Sequence, residues 1–237
     1  MRGVLFDLDG TLLDIDLSAF LDQYFSALTE SSIPVLPPDV TPAVFREAVA
    51  RGTRAMMDVH PGRTNRDVFA DELLRSIGMS LDKAWPIYER FYAEVFPLLK
   101  DSAGPRPGAR RAVETALDLG LAVIIATNPI FPRTAVQARL AWAELDDLPF
   151  AGVTSFENMT ACKPHPSYFR EAARLAGLEP PECLMVGDDR YLDMPAADVG
   201  MKTFFVGTAE GGLWTDASGS LEDLVSLLPA LVRSSAG

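Results

Sequence analysis

Acidic residues recur in this chain where a short apolar run has just ended. Asp7 and Asp9 close the run over residues 3–8, in DLDGTLLD, and Asp188, Asp189 and Asp193 follow the run 183–186, in VGDDRYLD. Two other runs end differently. Residues 121–126 lead into Thr127 and Asn128, and residues 150–154 lead into a loop carrying Lys163, in ACKPHP. Carboxylates gathered in a shielded cleft repel one another and raise each other's pKa values unless a cation sits among them. Oxygen ligands without histidine or thiolate select a hard ion, and Mg²⁺ suits a site completed by water and a substrate phosphate. Such an ion would let an anionic ester approach, with Lys163 and the Thr127 hydroxyl meeting its remaining oxygens.

These groups converge only if a scaffold brings four distant stretches together. The runs are rich in β-branched and aliphatic residues and read as buried strands, with residues 202–206 as a fifth. Helical patterns lie between them. One covers 110–119 and is ended by Gly120; another covers 166–176 and is ended by Gly177. Strands alternating with helices predict an α/β fold with a parallel sheet and right-handed crossovers. Ligands in such sheets bind beyond the carboxyl ends of the strands, which is where the acids, the Thr-Asn pair and the lysine fall.

Residues 15–102 follow a different pattern. Leu17, Phe20, Leu21, Tyr24, Phe25 and Leu28 recur at the spacing of one buried helix face. Thr41-Pro42 is a helix entrance for 43–59, and Thr64 with Asp67 forms a cap ahead of a helix that Gly78 closes. A further helix is expected over 81–96. The expectation is a helical domain, 15–102, inserted into an α/β domain built from 1–14 and 103–237. Hinges are expected at 14–16 and in the Gly/Pro-rich loop 101–108. The small, polar tail from Ser234 is expected to fray.

Composition bounds the function classes. Of 237 residues, 48% are hydrophobic, enough for a substantial core, and the net charge is −12. That charge argues against nucleic acid or an anionic membrane as partner. It also means that a phosphate site here needs a local cation. Two cysteines, Cys162 and Cys183, without metal-ligand spacing exclude a disulfide framework and argue against a zinc site. The first apolar run is interrupted by Asp7 and Asp9, which a signal-peptide core would not tolerate, so a cytoplasmic location is expected.

With these residues in view, the chain resembles the haloacid dehalogenase superfamily of hydrolases, in its phosphatase branch with a helical cap. The likeness rests on D-x-D-G-T (Asp7, Asp9, Gly10, Thr11), a strand ending in Thr127-Asn128, Lys163 before Pro164, and G-D-x-x-x-x-D (Gly187, Asp188, Asp193), in the family's order. The resemblance implies a Rossmann-like core and an inserted cap, a Mg²⁺ cofactor, and a small phosphorylated metabolite as substrate. Asp7 would be the nucleophile and Asp9 the acid and base. Asp7, the Asp9 carbonyl and Asp188 would hold the metal. Lys163 would bridge Asp7 and the phosphoryl group, steadied by Asp189 or Asp193, with Gly10, Thr127 and Asn128 around the phosphate. Cap closure would exclude water.

Plainer roles compete at several positions. Asp7 and Asp9 could be turn residues, Thr127-Asn128 an ordinary turn before Pro129, and Lys163 a solvated lysine. Asp189 and Asp193 could cap the segment 194–199, and Asp198 reads as a surface residue. His60 and Arg63 could read the substrate or simply sit in a solvated loop; His165 reads as structural. Met56, Met57, Trp85, Trp142 and Trp214 read as packing residues, and Cys162 as a small buried filler. Among rival functions, dehalogenation needs no acid at Asp9. Phosphonate cleavage wants a cap lysine, for which only Lys83 and Lys100 are available. A phosphomutase would keep both aspartates, whereas a non-catalytic binding protein would lose Asp7, Asp9 or Lys163. The sequence does not specify the oligomeric state.

Overall fold

The computed structural model describes residues 1–209 and 215–234. The chain begins with β1 (Gly3–Phe6), β2 (Leu13–Ile15) and α1 (Leu17–Ser32). It continues through α2 (Pro42–Met56), α3 (Asn65–Ile77) and α4 (Leu81–Arg90), and returns in β3 (Ala103–Pro105). Helices and strands then alternate as α5 (Ala109–Asp118), β4 (Ala122–Ile125), α6 (Arg133–Trp142), β5 (Gly152–Val153) and α7 (Pro166–Arg174). The last elements are β6 (Cys183–Gly187), β7 (Lys202–Val206), β8 (Ala217–Gly219) and α8 (Leu221–Ser234). Trp214 and residues 235–237 lie outside the described residues, so the expected packing of the one and fraying of the others are not addressed.

Among the described residues, six strands form a parallel sheet in the order β5-β4-β1-β6-β7-β8. β1 sits between β4 and β6, with Phe6 level with Ile125 on one side and Val186 on the other. Chain order reverses across β1, which makes its carboxyl end a crevice of the kind where α/β sheets bind ligands. Alternate side chains serve opposite faces, as strand geometry requires. Leu5, Ile124 and Met185 pack with Tyr168, Phe169 and Ala172 of α7. Val4, Phe6 and Val186 share the other face with Ala112 and Val113 of α5 and Leu224 of α8.

The strands expected at 3–8, 121–126 and 150–154 are shorter than their apolar runs, because pairing ends where the chain turns into the site. The expected hinges are not plain loops. They pair as a two-stranded antiparallel ribbon, Leu13 opposite Pro105 and Ile15 opposite Ala103, held by backbone hydrogen bonds that carry no side-chain signature. β8, spelled Ala-Ser-Gly, is missed for the same reason.

The helical block forms much as its caps dictate. Thr41 accepts a hydrogen bond from the Val44 amide, and Thr64 and Asp67 make a reciprocal capping box that ends at left-handed Gly78. α1 buries Phe20, Tyr24 and Leu28, but Leu17 is half exposed. α2 stops at Met56, short of the expected 59, and α4 passes into a π-helical turn, Phe91–Val95. An aromatic seam joins this block to α6. Phe96 stacks on Trp142 with centroids 5.4 Å apart, Tyr24 meets Phe131 at 5.2 Å, and the Trp142 indole donates to the Pro97 carbonyl at 3.1 Å. At another edge, the Asn65 and Arg66 amides donate to the Met159 and Phe156 carbonyls at 2.9 and 2.8 Å. No described helix is long and apolar enough to cross a membrane.

Candidate active site

A cavity of about 370 Å³ opens at the carboxyl ends of β1, β4 and β6. Its described lining includes Asp7, Asp9, Gly10, Thr127, Asn128, Lys163, Asp188, Asp189 and Asp193, the nine residues to which the resemblance gave a part in the chemistry. Ile15, Leu17, Leu21, Ile130, Phe131 and Leu192 make up its apolar wall, and Arg139 completes the lining.

Lys163 is the hinge of the polar side. Its Nζ donates to Asp7 Oδ1 and to Asp193 Oδ1, both at 2.6 Å, and the side chain is 1% exposed. Burial works against that ammonium, but Asp193 and Asp7 outweigh it and hold its pKa above the ordinary lysine value. The loop that delivers it runs through a cis Lys163-Pro164 bond, and the Asn128 side chain accepts from its amide at 3.2 Å. Thr127 is buried, with its carbonyl taking hydrogen bonds from Thr154 and from the Tyr168 hydroxyl at 2.7 and 2.9 Å.

Asp9, Asp188 and Asp193 are raised from the usual carboxylate range, and in each burial is the main cause. For Asp188 burial is the main cause and the Asp7 charge the next; for Asp193 burial dominates, with Lys163 opposing it. Asp9 is raised by burial, again with a cation opposing, here Arg139. One carboxylate oxygen from each of Asp7, Asp188 and Asp193 lies within 4.8 Å of the others. Asp193 is already engaged by Lys163 and by the Asp189 amide at 3.0 Å, which leaves Asp7 and Asp188 as the freer pair. Thr11 donates to Asp188 at 2.9 Å. Gly10, at φ +85°, lies so close to Asp188 that a Cβ there would collide with its carboxylate. A hard divalent cation fits this donor set: all-oxygen ligands, mutually repelling and closely spaced, with Asp7 and Asp193 buried and Asp188 half-buried.

Some expectations are corrected. Lys163 is steadied by Asp193, not Asp189, whose carboxylate instead accepts from the Tyr191 and Leu192 amides of its own turn. Asp193 does not cap the 3₁₀ turn Met194–Val199 with its side chain, because Lys163 and the Asp189 amide occupy it. His60 and Arg63 do not line the cavity: His60 bonds the Ala55 carbonyl, and Arg63 pairs with Asp71. Met57 is exposed rather than packed, its sulfur 3.9 Å from the Asn128 amide nitrogen. His165 caps α7, and burial pushes the Cys162 thiol up to about 12, which suits an inert filler.

Two arginines escaped the sequence reading. Arg106, from the ribbon, donates to the Gly10 carbonyl and so braces the loop after β1. Arg139 of α6 pairs with Asp9. A signal for the second existed. Arg139 shares a helix face with Ala135, Val136 and Ala143, and arginine is almost never buried without a partner.

Residues 1–199 match the family model for haloacid dehalogenase-like hydrolases. The chain belongs to that family. It is 28% identical over 203 residues to a phosphoglycolate phosphatase of Xanthomonas campestris pv. campestris (strain 8004), covering 84% of this chain and 80% of that protein. Its fold matches a HAD phosphatase from Thermococcus onnurineus (TM-score 0.59, 21% identity, 96% and 98% of the two chains). It also matches a 2-haloacid dehalogenase from Pseudomonas syringae pv. Tomato DC3000 (TM-score 0.62, 21% identity, 98% and 99%). The chain is therefore a hydrolase of this family, with the family's sheet at its centre.

Proposed function

We propose that this hydrolase is a Mg²⁺-dependent phosphatase of small phosphomonoesters that works through an aspartyl-phosphate on Asp7. The observation that carries this reading is the bridge from Lys163 to Asp7 and Asp193 at the sheet's switch point. A buried ammonium fixes one oxygen of Asp7 and keeps positive charge where phosphoryl oxygens gather. Asp7 attacks phosphorus as the bond to the leaving oxygen breaks, and Asp9 gives that oxygen its proton. Asp9 then takes a proton from the water that attacks the aspartyl-phosphate, releasing phosphate and restoring Asp7. Asp7, the Asp9 carbonyl and Asp188 would hold Mg²⁺, which when bound neutralises the carboxylates and polarises the phosphoryl group. Residues 15–102 act as a cap on the core formed by 1–14 and 103–237.

The wall narrows the substrate class. Its described side chains beyond the sheet rim are apolar apart from Arg139, so a hydroxyl-rich leaving group would lose its water without finding partners. Compact, sparsely hydroxylated phosphomonoesters suit it better than sugar phosphates. A halide needs no proton to leave, so Asp9 favours phosphate over halide chemistry.

The test is a panel of phosphorylated metabolites scored for phosphate release with Mg²⁺ and with a chelator, alongside 2-haloacids scored for halide. Chelator-sensitive phosphate release, fastest on compact esters, is expected. Halide release alone, an isomerised phosphoester without free phosphate, or no turnover of any compound would overturn the reading.

A further inference from the structure

The acids on the polar side of the cavity are anchored by side chains from the four motifs, with one exception. Asp7 and Asp193 are tied to Lys163, and Asp188 to Thr11. Asp9 is anchored from elsewhere: Arg139 Nη1 donates to its Oδ2, and Arg139 comes from α6, outside the four motifs that supply the other polar groups. That guanidinium is 1% exposed, lies 4.7 Å over the Phe131 ring, and donates through Nε to the Ala135 carbonyl at 3.4 Å. Phe131 in turn packs against Tyr24 and Phe20 of α1, so the aromatic seam fixes the guanidinium from behind.

The two oxygens of Asp9 are not equivalent. Oδ2 is held, whereas Oδ1 is buried and has no hydrogen-bond partner among the described residues. Arg139 Nη2 is buried and unpartnered as well, and both residues line the cavity. Buried polar atoms are as a rule paired, and orphans at a cavity mark places where a ligand atom completes the bonding. A group that moves a proton must also sit within hydrogen-bond reach of the reacting atom, and small displacements are expensive.

We propose that Arg139 is the positioning residue for Asp9: by binding Oδ2 it fixes the carboxyl so that Oδ1 serves the leaving oxygen and then the attacking water. This rests on the phosphatase reading, and it adds a residue that none of the four motifs contains. Arg139 acts through Asp9, so its importance must follow the leaving group's need for a proton. An alkyl alkoxide needs one; p-nitrophenolate leaves readily without.

The experiment compares Arg139→Met and Arg139→Lys on ethyl phosphate and p-nitrophenyl phosphate, in the wild-type and Asp9→Asn backgrounds, with thermal unfolding as a check on folding. Arg139→Met is expected to lower kcat on ethyl phosphate about a hundredfold, the lower end of what lost acid–base catalysis costs, with KM little changed. On p-nitrophenyl phosphate the expected loss is a few-fold. Arg139→Lys recovers part of the ethyl phosphate loss, and Arg139→Met adds nothing once Asp9 is asparagine, since residues acting as one unit are not additive. Should Arg139→Met fail to fold, Arg139→Lys and the charge-balanced Asp9→Asn/Arg139→Met pair carry the same comparison. Equal losses on both esters, or losses that add to those of Asp9→Asn, would overturn the positioning role and leave the phosphatase reading standing. A wild type inactive on both esters would remove the phosphatase reading and the role together.

Discussion

The carboxyl ends of β1, β4 and β6 present Asp7, Thr127 and Asp188 to the cavity, whereas the end of β2 and the start of α1 contribute Ile15, Leu17 and Leu21. The first side is rigid and polar. Every acid there has a named partner, and Lys163 ties two of them at 2.6 Å. Among the described residues, the second side offers the cavity no hydrogen-bonding side chain of its own, and it is held by an aromatic seam and a few backbone hydrogen bonds. The difference teaches how labour is divided. On the proposed reading, the phosphoryl chemistry is fixed by charge pairing on the sheet, while the shape that would select a substrate falls to apolar residues that can change without disturbing it.

The largest break in that division is Asp7→Asn. The amide keeps the shape but cannot attack phosphorus, and kcat is expected to fall by on the order of 10⁴-fold or more, with the circular dichroism spectrum unchanged. Lys163→Met damages chemistry and fold together, because it leaves Asp7 and Asp193 buried without their cation. A loss of roughly 3–5 kcal/mol is expected in denaturant unfolding, beside the loss of turnover. Changes on the wall act differently. Leu21→Asn should leave p-nitrophenyl phosphate turnover within a few-fold while shifting the kcat/KM ratio of hydroxylated to compact esters upward by about tenfold, the worth of one satisfied polar contact. Retention of the wild-type ratio would mean that the wall does not select. Smallest is Thr64→Ala, which removes the cap of α3 at a residue that does not line the cavity. It should cost about 1 kcal/mol, read as a modest drop in Tm, and leave kcat unchanged.

The polar side was legible in the sequence because its chemistry needs particular residue types at strand ends. Asp7, Thr127, Lys163 and Asp188 follow apolar runs, and parallel sheet geometry leaves one rim for all of them. The caps of α2 and α3 were legible for a similar reason, since Thr41-Pro42 and Thr64 with Asp67 satisfy amides only at a helix start. What stayed hidden depends on contacts between distant segments. The ribbon of β2 and β3 is made by backbone pairing of six residues with no periodicity. Nothing local distinguishes Leu17 and Leu21 of the wall from Phe20 and Tyr24 of the core, because all four fall on one helical stripe. Arg139 reads as one of two arginines in α6 until Asp9, 130 residues earlier, is seen to face it. For His60 and Arg63 the sequence left two readings open, substrate reader or solvated loop, and only the pinning of that loop to residues 156–160, outside the cavity lining, separates them.

The central claim is that the Asp7 carboxylate itself takes the phosphoryl group. Borohydride added during steady-state turnover reduces an acyl phosphate to an alcohol, and peptide mass spectrometry then reads which side chain was caught. Homoserine at position 7, dependent on substrate and absent from Asp7→Asn, is the predicted result. Reduction at another carboxylate, or full turnover with residue 7 never modified, would contradict it.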